Sequence, residues 1–359
     1  MKRLALLLLA AAAAAAFAVV WYVPAVQDAL IRRVAEQRLL APADLAFDDQ
    51  TLSVLLCGTS SPLSHPTRGH PCTAVIAGGR IYVVDIGPGA WTHLALWRVP
   101  ADRIEAVLLT HLHSDHIGDL GEINLQSWAG GRSGPLPVYG PIGTERVVRG
   151  FAEAYALDTG YRTAHHGAEL LAPAVSGMDA RPVALEGETG KSATVFEKDG
   201  LKVTAFLVHH EPITPAFGYK FEYKGRSIFV SGDTAPHASL IDAARGVDVV
   251  VHEAQANHLV KILEETARAG GAVRQAKILS DIPTYHTSPV DGAKLAKAAN
   301  ARLLVYTHLT PPPINALMER IFVRGVDDVG GPPWILGDDG LVVELPAGGT
   351  EIRTRSIAN

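Results

Sequence analysis

The chain has 359 residues, 48% of them hydrophobic and 19% charged, so it can bury a sizeable core, which excludes a disordered or fibrous protein. With 32 Lys and Arg against 37 Asp and Glu, the net charge of −5 offers no global field to a polyanion and argues against a nucleic-acid partner. Fifteen His against two Cys direct any bound metal to nitrogen and oxygen donors rather than to thiolates.

Lys2 and Arg3 precede an apolar run over residues 4–23 that ends at Pro24. A basic start followed by a hydrophobic stretch has the form of an export signal, and about 20 apolar residues also suffice to span a bilayer. Residues 1–26 are therefore expected to be a cleaved signal peptide or a retained membrane anchor. Either places the body in the periplasm or outside the cell, and the second makes the membrane a partner. Residues 27–49 follow as an amphipathic helix, with Leu30, Ile31 and Val34 against Arg32, Arg33 and Arg38, and a linker. Cys57 and Cys72 flank a loop rich in Pro, Gly and Ser. An oxidising compartment would let them pair, and two separate buried thiols are the alternative.

Short β-branched runs at 52–56, 73–76, 81–85 and 106–110, punctuated by Gly and Pro, predict strands. Helical spacing follows at 117–126, a strand at 137–141 and a helix at 144–157. A second round has strands at 203–208, 217–223, 227–230 and 247–251, helices at 238–244, 260–269 and 290–298, and a strand at 303–306. A meander followed by alternating strands and helices, occurring twice, predicts an α/β fold of two stacked sheets with helices outside. No linker divides it, so residues 50–346 form one domain, with a C-terminal tail at 347–359.

The chemistry begins at Thr110-His111-Leu112-His113-Ser114-Asp115-His116, directly after a strand and before a helix. A turn there can aim His111 and His113 at one cation and Asp115 and His116 at a second. Two ions about 3.5–4 Å apart can hold a bridging hydroxide. His111-x-His113-x-Asp115-His116 resembles the signature of the metallo-β-lactamase superfamily, an αββα four-layer sandwich. The resemblance extends to His210 before Glu211-Pro212-Ile213-Thr214-Pro215-Ala216-Phe217-Gly218-Tyr219, to Asp233 in Ser231-Gly232-Asp233-Thr234, and to His308 in Tyr306-Thr307-His308. It implies two divalent ions, zinc before manganese or iron. His111, His113 and His210 would serve one ion and Asp115, His116 and His308 the other, with Asp233 bridging.

Cys57-Gly58-Thr59-Ser60-Ser61-Pro62, Asp85-Ile86-Gly87-Pro88-Gly89, His252-Glu253-Ala254 and His286-Thr287-Ser288 are similar to the branch that holds ribonuclease Z and zinc-dependent arylsulfatases. In that branch His286 stands at a catalytic histidine, with Asp115 the accompanying catalytic carboxylate, and His252 and Glu253 orient His286 or a ligand. No stretch between the first motif and Asp233 has the dense Lys and Arg of the ribonuclease Z arm. Residues 119–200 instead resemble the lid-like insertion of the arylsulfatase type. There Trp128, Tyr155 and Tyr161 are expected as an aromatic wall and Arg132 or Arg162 as an anion contact. The expectation is thus an exported, metal-dependent hydrolase of small anionic sulfate or phosphate esters. A ribonuclease Z-like phosphodiesterase is the alternative, and a lactonase, a β-lactamase or a non-catalytic metal-binding protein lie further off. The sequence sets no oligomeric state.

Overall fold

A computed structural model describes residues 2–40 and 42–358, so Met1, Ala41 and Asn359 of the terminal and linker segments lie outside the described residues. The chain forms two compact units divided between Asp44 and Leu45. In the first, α1 (Lys2–Tyr22) and α2 (Pro24–Leu39) are separated at Val23, with Pro24 at the first turn of α2, where its missing N–H costs nothing. Neither helix buries a residue within its unit. α1 is the one helix among the described residues long and apolar enough to cross a membrane, a test that a signal sequence also passes.

The described residues of the second unit form fifteen strands. β1 (Thr51–Gly58), β2 (Cys72–Ala77), β3 (Arg80–Val84), β4 (Ile104–Leu108), β5 (Leu136–Gly140) and β6 (Met178–Pro182) come first. β7 (Ser192–Lys198), β8 (Leu201–Leu207), β9 (Phe217–Tyr223), β10 (Arg226–Val230), β11 (Val249–Gln255), β12 (Leu303–Thr310) and β13 (Trp334–Leu336) follow, and β14 (Leu341–Pro346) and β15 (Arg353–Ser356) close the chain. One sheet has the order β15-β14-β1-β2-β3-β4-β5-β6, the other β13-β12-β11-β10-β9-β8-β7. The pairings mix hands: β3 runs parallel to β4, and β10, β11, β12 and β13 run parallel to one another, whereas β1, β2 and β3 and also β7, β8, β9 and β10 are antiparallel.

The inner faces meet through Leu52, Val54, Val75, Tyr82, Leu108, Val203, Phe217, Tyr219, Phe221, Ile228, Val251 and Val305, all buried. α3 (Ala90–Leu96), α4 (Ser114–Ile117), α5 (Leu120–Ala129) and α6 (Thr144–His166) accompany the first sheet. Its outer face packs through Leu55, Ile81, Val107, Leu120, Ile123 and Val148. α7 (Ser239–Ala243), α8 (Asn257–Ala269), α9 (Val273–Asp281), α10 (Pro289–Ala298) and α11 (Ala316–Phe322) belong to the second half. There Phe229, Leu240, Val250, Leu295, Leu304 and Phe322 fill the outer layer. Burial on both faces is why β1, β2, β11 and β12 read as apolar runs rather than alternations. The architecture is the αββα sandwich.

Residues 119–200 depart from the lid expectation. β5 and β6 extend the first sheet in parallel from β4, and β7 pairs antiparallel with β8 at the edge of the second. The strand character of 178–182 and 192–198 is hard to see in sequence because both are edge strands with charged, exposed positions, as edge strands commonly have. The C-terminal segment likewise contains a strand, β15, paired with β14.

Cys57 and Cys72 form a disulfide with a Cα–Cα distance of 4.9 Å, tying the end of β1 to the start of β2. The loop between them is also held against the C-terminal part of the chain. Arg68 donates to Thr59 Oγ1 (2.7 Å) and to the Gly337 carbonyl (2.8 Å), while Asp339 accepts from Thr59 Oγ1 (2.5 Å), the Gly69 amide (2.6 Å) and His93 Nδ1 (2.9 Å).

Candidate metal centre and active site

The site side chains come from the C-terminal ends of strands in both sheets. His111 and His113 leave the turn after β4, Asp115 and His116 open α4, His210 follows β8, Asp233 follows β10, and His308 lies within β12. Two backbone features aim them. Gly232 has φ +59°, and a Cβ there would lie 2.4 Å from the Phe217 carbonyl oxygen, so only glycine lets the chain turn Asp233 inward. His308 itself adopts φ +48°, uncommon for a side chain larger than Asn.

Four sets of donor atoms lie within 4.8 Å of one another: His111, His113 and His210; His111, His116 and Asp233; Asp115, His116 and His308; and Asp233, His286 and His308. Asp233 Oδ2 is the common point, 3.9 Å from His111 Nε2, 3.3 Å from His116 Nε2 and 3.2 Å from His308 Nε2. Asp115 Oδ2 lies 3.4 Å from His116 Nε2 and 3.5 Å from His308 Nε2. His111 Nε2 and His113 Nδ1 are 2.9 Å apart.

These residues fit a pair of divalent cations. Asp115 Oδ2 and the Nε2 atoms of His116, His210 and His308 are buried and have no hydrogen-bond partner among the described residues. Buried polar atoms left without partners are costly, so four that converge call for a cation. The opposite ring nitrogens of His116 and His210 are engaged, while His308 Nδ1 is buried without a partner among the described residues. His116 Nδ1 is 2.8 Å from Asp85 Oδ2, which also accepts from Thr110 Oγ1 at 2.8 Å, and His210 Nδ1 is 3.0 Å from the Tyr285 carbonyl. A hydrogen bond from Nδ1 leaves Nε2 with its lone pair facing the centre.

The buried carboxylates concentrate negative charge at the centre, where a cation would take the place of the proton on His116. Burial, reinforced by the neighbouring imidazoles of His116, His210 and His113, holds His111 well below the usual histidine range. Burial also opposes charge on His116, but Asp233, Asp85 and Asp115 outweigh it and raise that imidazole well above its ordinary value. Burial likewise opposes ionisation of Asp115 and Asp233, yet the adjoining histidines keep both carboxyls ionised, well below the usual range.

His286 is brought to the same centre. Its Nδ1 is 3.1 Å from Glu253 Oε1, which also accepts the amides of Thr287 (2.9 Å) and Thr234 (3.2 Å). The segment is fixed because Ser288 caps α10, accepting from the Asp291 amide with Pro289 at the first turn. His252 is fully buried and turned away, with Nδ1 2.8 Å from the Glu253 carbonyl, so of the two it is Glu253 that holds His286. His209 stands outside the donor sets, half-buried and stacked on His237 at 6.2 Å.

Two of the expected substrate contacts are corrected. Trp128 is 2% exposed and packs with Leu125 and Leu171, its Nε1 donating to the Ala172 carbonyl at 3.0 Å. Arg132 is 7% exposed and spends its donors on Gly134, Asn124, Ser127, Val175 and Gly177. Both hold the 119–177 segment together and have nothing left for an anion. Tyr161 and Arg162 lie on α6, where Tyr161 is exposed and Arg162 donates to Asp158 at 2.7 Å.

Asp85 was legible as part of a motif but had no role in the sequence. Its signal is an acidic residue directly after a strand at φ +56°, a conformation Asp tolerates better than most. His70 was missed altogether. Its Nδ1 is buried without a partner, and Gly87 lets it approach, since a Cβ at 87 would lie 2.5 Å from His70 Cβ and 2.0 Å from the Asp115 carbonyl oxygen.

A hydrolytic centre of clustered imidazoles and carboxylates on an αββα sandwich defines the class, and similarity to known proteins agrees. The profile of the Beta-lactamase superfamily domain matches residues 80–309. Ribonuclease Z of Mycolicibacterium paratuberculosis is 35% identical over 298 residues, covering 80% of this chain and 96% of that protein. Ribonuclease Z of Mycobacterium bovis is 36% identical over 263 residues, covering 72% and 86%. In fold, the metallo-β-lactamase-fold protein YhfI from Bacillus subtilis superposes with TM-score 0.58 at 17% identity, over 82% of this chain and 99% of that one. Human tRNase Z, short form, does so with TM-score 0.56 at 22% identity, over 81% and 98%.

The chain belongs to the β-lactamase superfamily, among relatives named ribonuclease Z. It is a hydrolase acting on ester bonds, and its fold implies divalent metal ions.

These relatives correct two expectations. The arylsulfatase-like assignment gives way to the ribonuclease Z alternative, and with it goes the small anionic ester as substrate. The expectation against a nucleic-acid partner also fails, because a net charge averages over the whole surface and says nothing of a local groove.

Proposed function

We propose that the protein is a phosphodiesterase of the ribonuclease Z type, cleaving phosphodiester bonds in RNA. The observation that carries this is the 35% identity to ribonuclease Z across 96% of that protein's length. We assign His111, His113 and His210 to one cation, Asp115, His116 and His308 to the other, and Asp233 to both. Zinc is the metal we favour for this mixed imidazole and carboxylate set. When bound, the cations supply Lewis acidity and lower the pKa of water to about 7.

The chain's own residues do the rest. Asp85 and the Tyr285 carbonyl hold His116 and His210 in the tautomer that presents Nε2. Glu253 accepts from His286 Nδ1, so that Nε2 faces the centre and can hand a proton to the departing ribose oxygen. The anionic leaving group is thereby neutralised as the P–O bond breaks. Asp115, kept ionised by His116 and His308, would offer its carboxylate to the same cation as those histidines. The apolar helix α1 and the disulfide support a location outside the cytoplasm, with α1 as signal or anchor.

The test is hydrolysis of bis(p-nitrophenyl) phosphate, p-nitrophenyl sulfate and a 3′-extended transfer RNA, with elemental analysis of the purified protein. Cleavage of the diester and the RNA by protein holding two equivalents of metal is expected. Turnover of the sulfate alone would overturn the proposal.

A further inference from the structure

The chain lacks a Lys- and Arg-dense arm between 117 and 232, so any grip on RNA has to come from elsewhere. One groove has the chemistry. It has a volume of about 740 Å³ and is lined by Leu317, Arg320, Arg324, Asp327, Trp334 and Leu336. It runs along the open edge of the second sheet, where α11 returns from the end of β12 beside β13. Trp334 is in register with Leu304 and Leu336 with Tyr306. Leu304 precedes His308 by four residues on the same strand, about 13 Å along it at about 3.3 Å per residue, so β13 pairs with the strand that carries His308.

The polar groups of the groove divide unequally. Asp327 Oδ1 accepts from Trp334 Nε1 at 2.9 Å, which fixes the indole. Glu319 leans to Arg68, 3.7 Å away, inside the Asp339 network. The guanidiniums of Arg320 and Arg324 are exposed and have no hydrogen bond or ion pair among the described residues. The acids are thus engaged, while two planar cations stand free beside a half-buried indole that Asp327 and Tyr306 hold in place. Guanidinium pairs phosphate oxygens, and a half-buried indole stacks an unpaired base. A duplex keeps its bases stacked on one another, so the match is to a single strand.

We infer that this groove along α11 binds a single-stranded segment of the RNA substrate beside the scissile bond, an inference that rests on the phosphodiesterase proposal above. The full chain in detergent is titrated into a fluorescein-labelled phosphorothioate oligouridylate of about 20 nucleotides, followed by anisotropy over a range of salt. Hydrolysis of bis(p-nitrophenyl) phosphate is measured in parallel. Replacing Arg320 and Arg324 together with Ala is expected to weaken binding roughly tenfold and to shallow the log K against log salt slope by about 1.4, two phosphates at about 0.7 each. Diester hydrolysis should not change. Trp334→Leu should weaken binding roughly tenfold and Trp334→Phe much less, because a phenyl ring still stacks.

RNA bound with unchanged affinity and slope by the double variant would overturn the groove assignment. So would a wild-type protein that hydrolyses the diester without binding the oligomer, an outcome that leaves the catalytic proposal standing. Groove-dependent binding without diester turnover would uphold the groove and sink the phosphodiesterase proposal.

Discussion

His116 has one ring nitrogen 2.8 Å from Asp85 and the other facing Asp115 and Asp233, so the fit of the centre depends on a residue outside the proposed ligand set. Asp85→Asn keeps the size and tolerates the same φ, but it makes a poorer acceptor for the Nδ1 proton. Partners of this kind are worth about 10–100-fold in metal affinity or activity. Zinc competition against a chromogenic chelator should show a loss within that range, with the fold unchanged by circular dichroism. An affinity equal to wild type would show that Asp85 only braces Thr110. His286 makes a second case. If it protonates the leaving group, His286→Ala should slow cleavage of an alkoxide-leaving RNA bond by about 10²–10⁴-fold. Hydrolysis of bis(p-nitrophenyl) phosphate, whose leaving group needs no proton, should fall far less. Equal losses on both substrates would assign His286 to charge stabilisation.

At the scale of elements, the loop between β1 and β2 links the disulfide, Arg68, Asp339 and His93 to the rim of the centre through His70. Closing a loop of 15 residues contributes about 3 kcal/mol in the chain-entropy model. Changing Cys57 and Cys72 together to Ala should lower the urea unfolding free energy by up to that amount. The same loop carries a pH dependence. The hydrogen bond to Asp339 raises His93 above its ordinary 6.5, with burial opposing. A folded value above the unfolded one means that this contribution is full below about 6.5 and is lost as pH rises through the folded value. Urea midpoints from about pH 6 to 8 should therefore fall more steeply for wild type than for His93→Gln. Parallel curves would remove His93 from the account.

What was legible in sequence divides along the same physical lines. The dense 111–116 cluster and the strand-ending His210, Asp233 and His308 are local signals, each beside an apolar run. The lid was misjudged because β6 and β7 are edge strands whose polar faces hide a period of two. Trp128 and Arg132 looked like surface chemistry because sequence does not show that Ala172, Val175 and Gly177 return to satisfy them. Asp339, 270 residues from Gly69, could be placed only by the fold.

For the whole molecule, the open question is what α1 does for a catalytic unit that begins at Leu45. α1 has 21 residues without a charge after Arg3, about 31 Å at 1.5 Å per residue, matching a hydrocarbon core of about 30 Å. Leu6, Leu7, Leu8, Leu9 and Phe17, spread around the helix, are all exposed within its unit. A retained anchor would keep the protein in the membrane fraction against high salt and alkaline carbonate, with an intact N-terminus by mass spectrometry. A cleaved signal would release a shorter, soluble chain. Two arginines at the helix centre, Leu9→Arg with Ala13→Arg, cost about 2.5–3.5 kcal/mol each on insertion scales. They should shift the protein to the soluble cytoplasmic fraction, where reducing conditions would leave Cys57 and Cys72 as thiols. If the double variant stays membrane-bound with its disulfide formed, α1 is neither anchor nor signal.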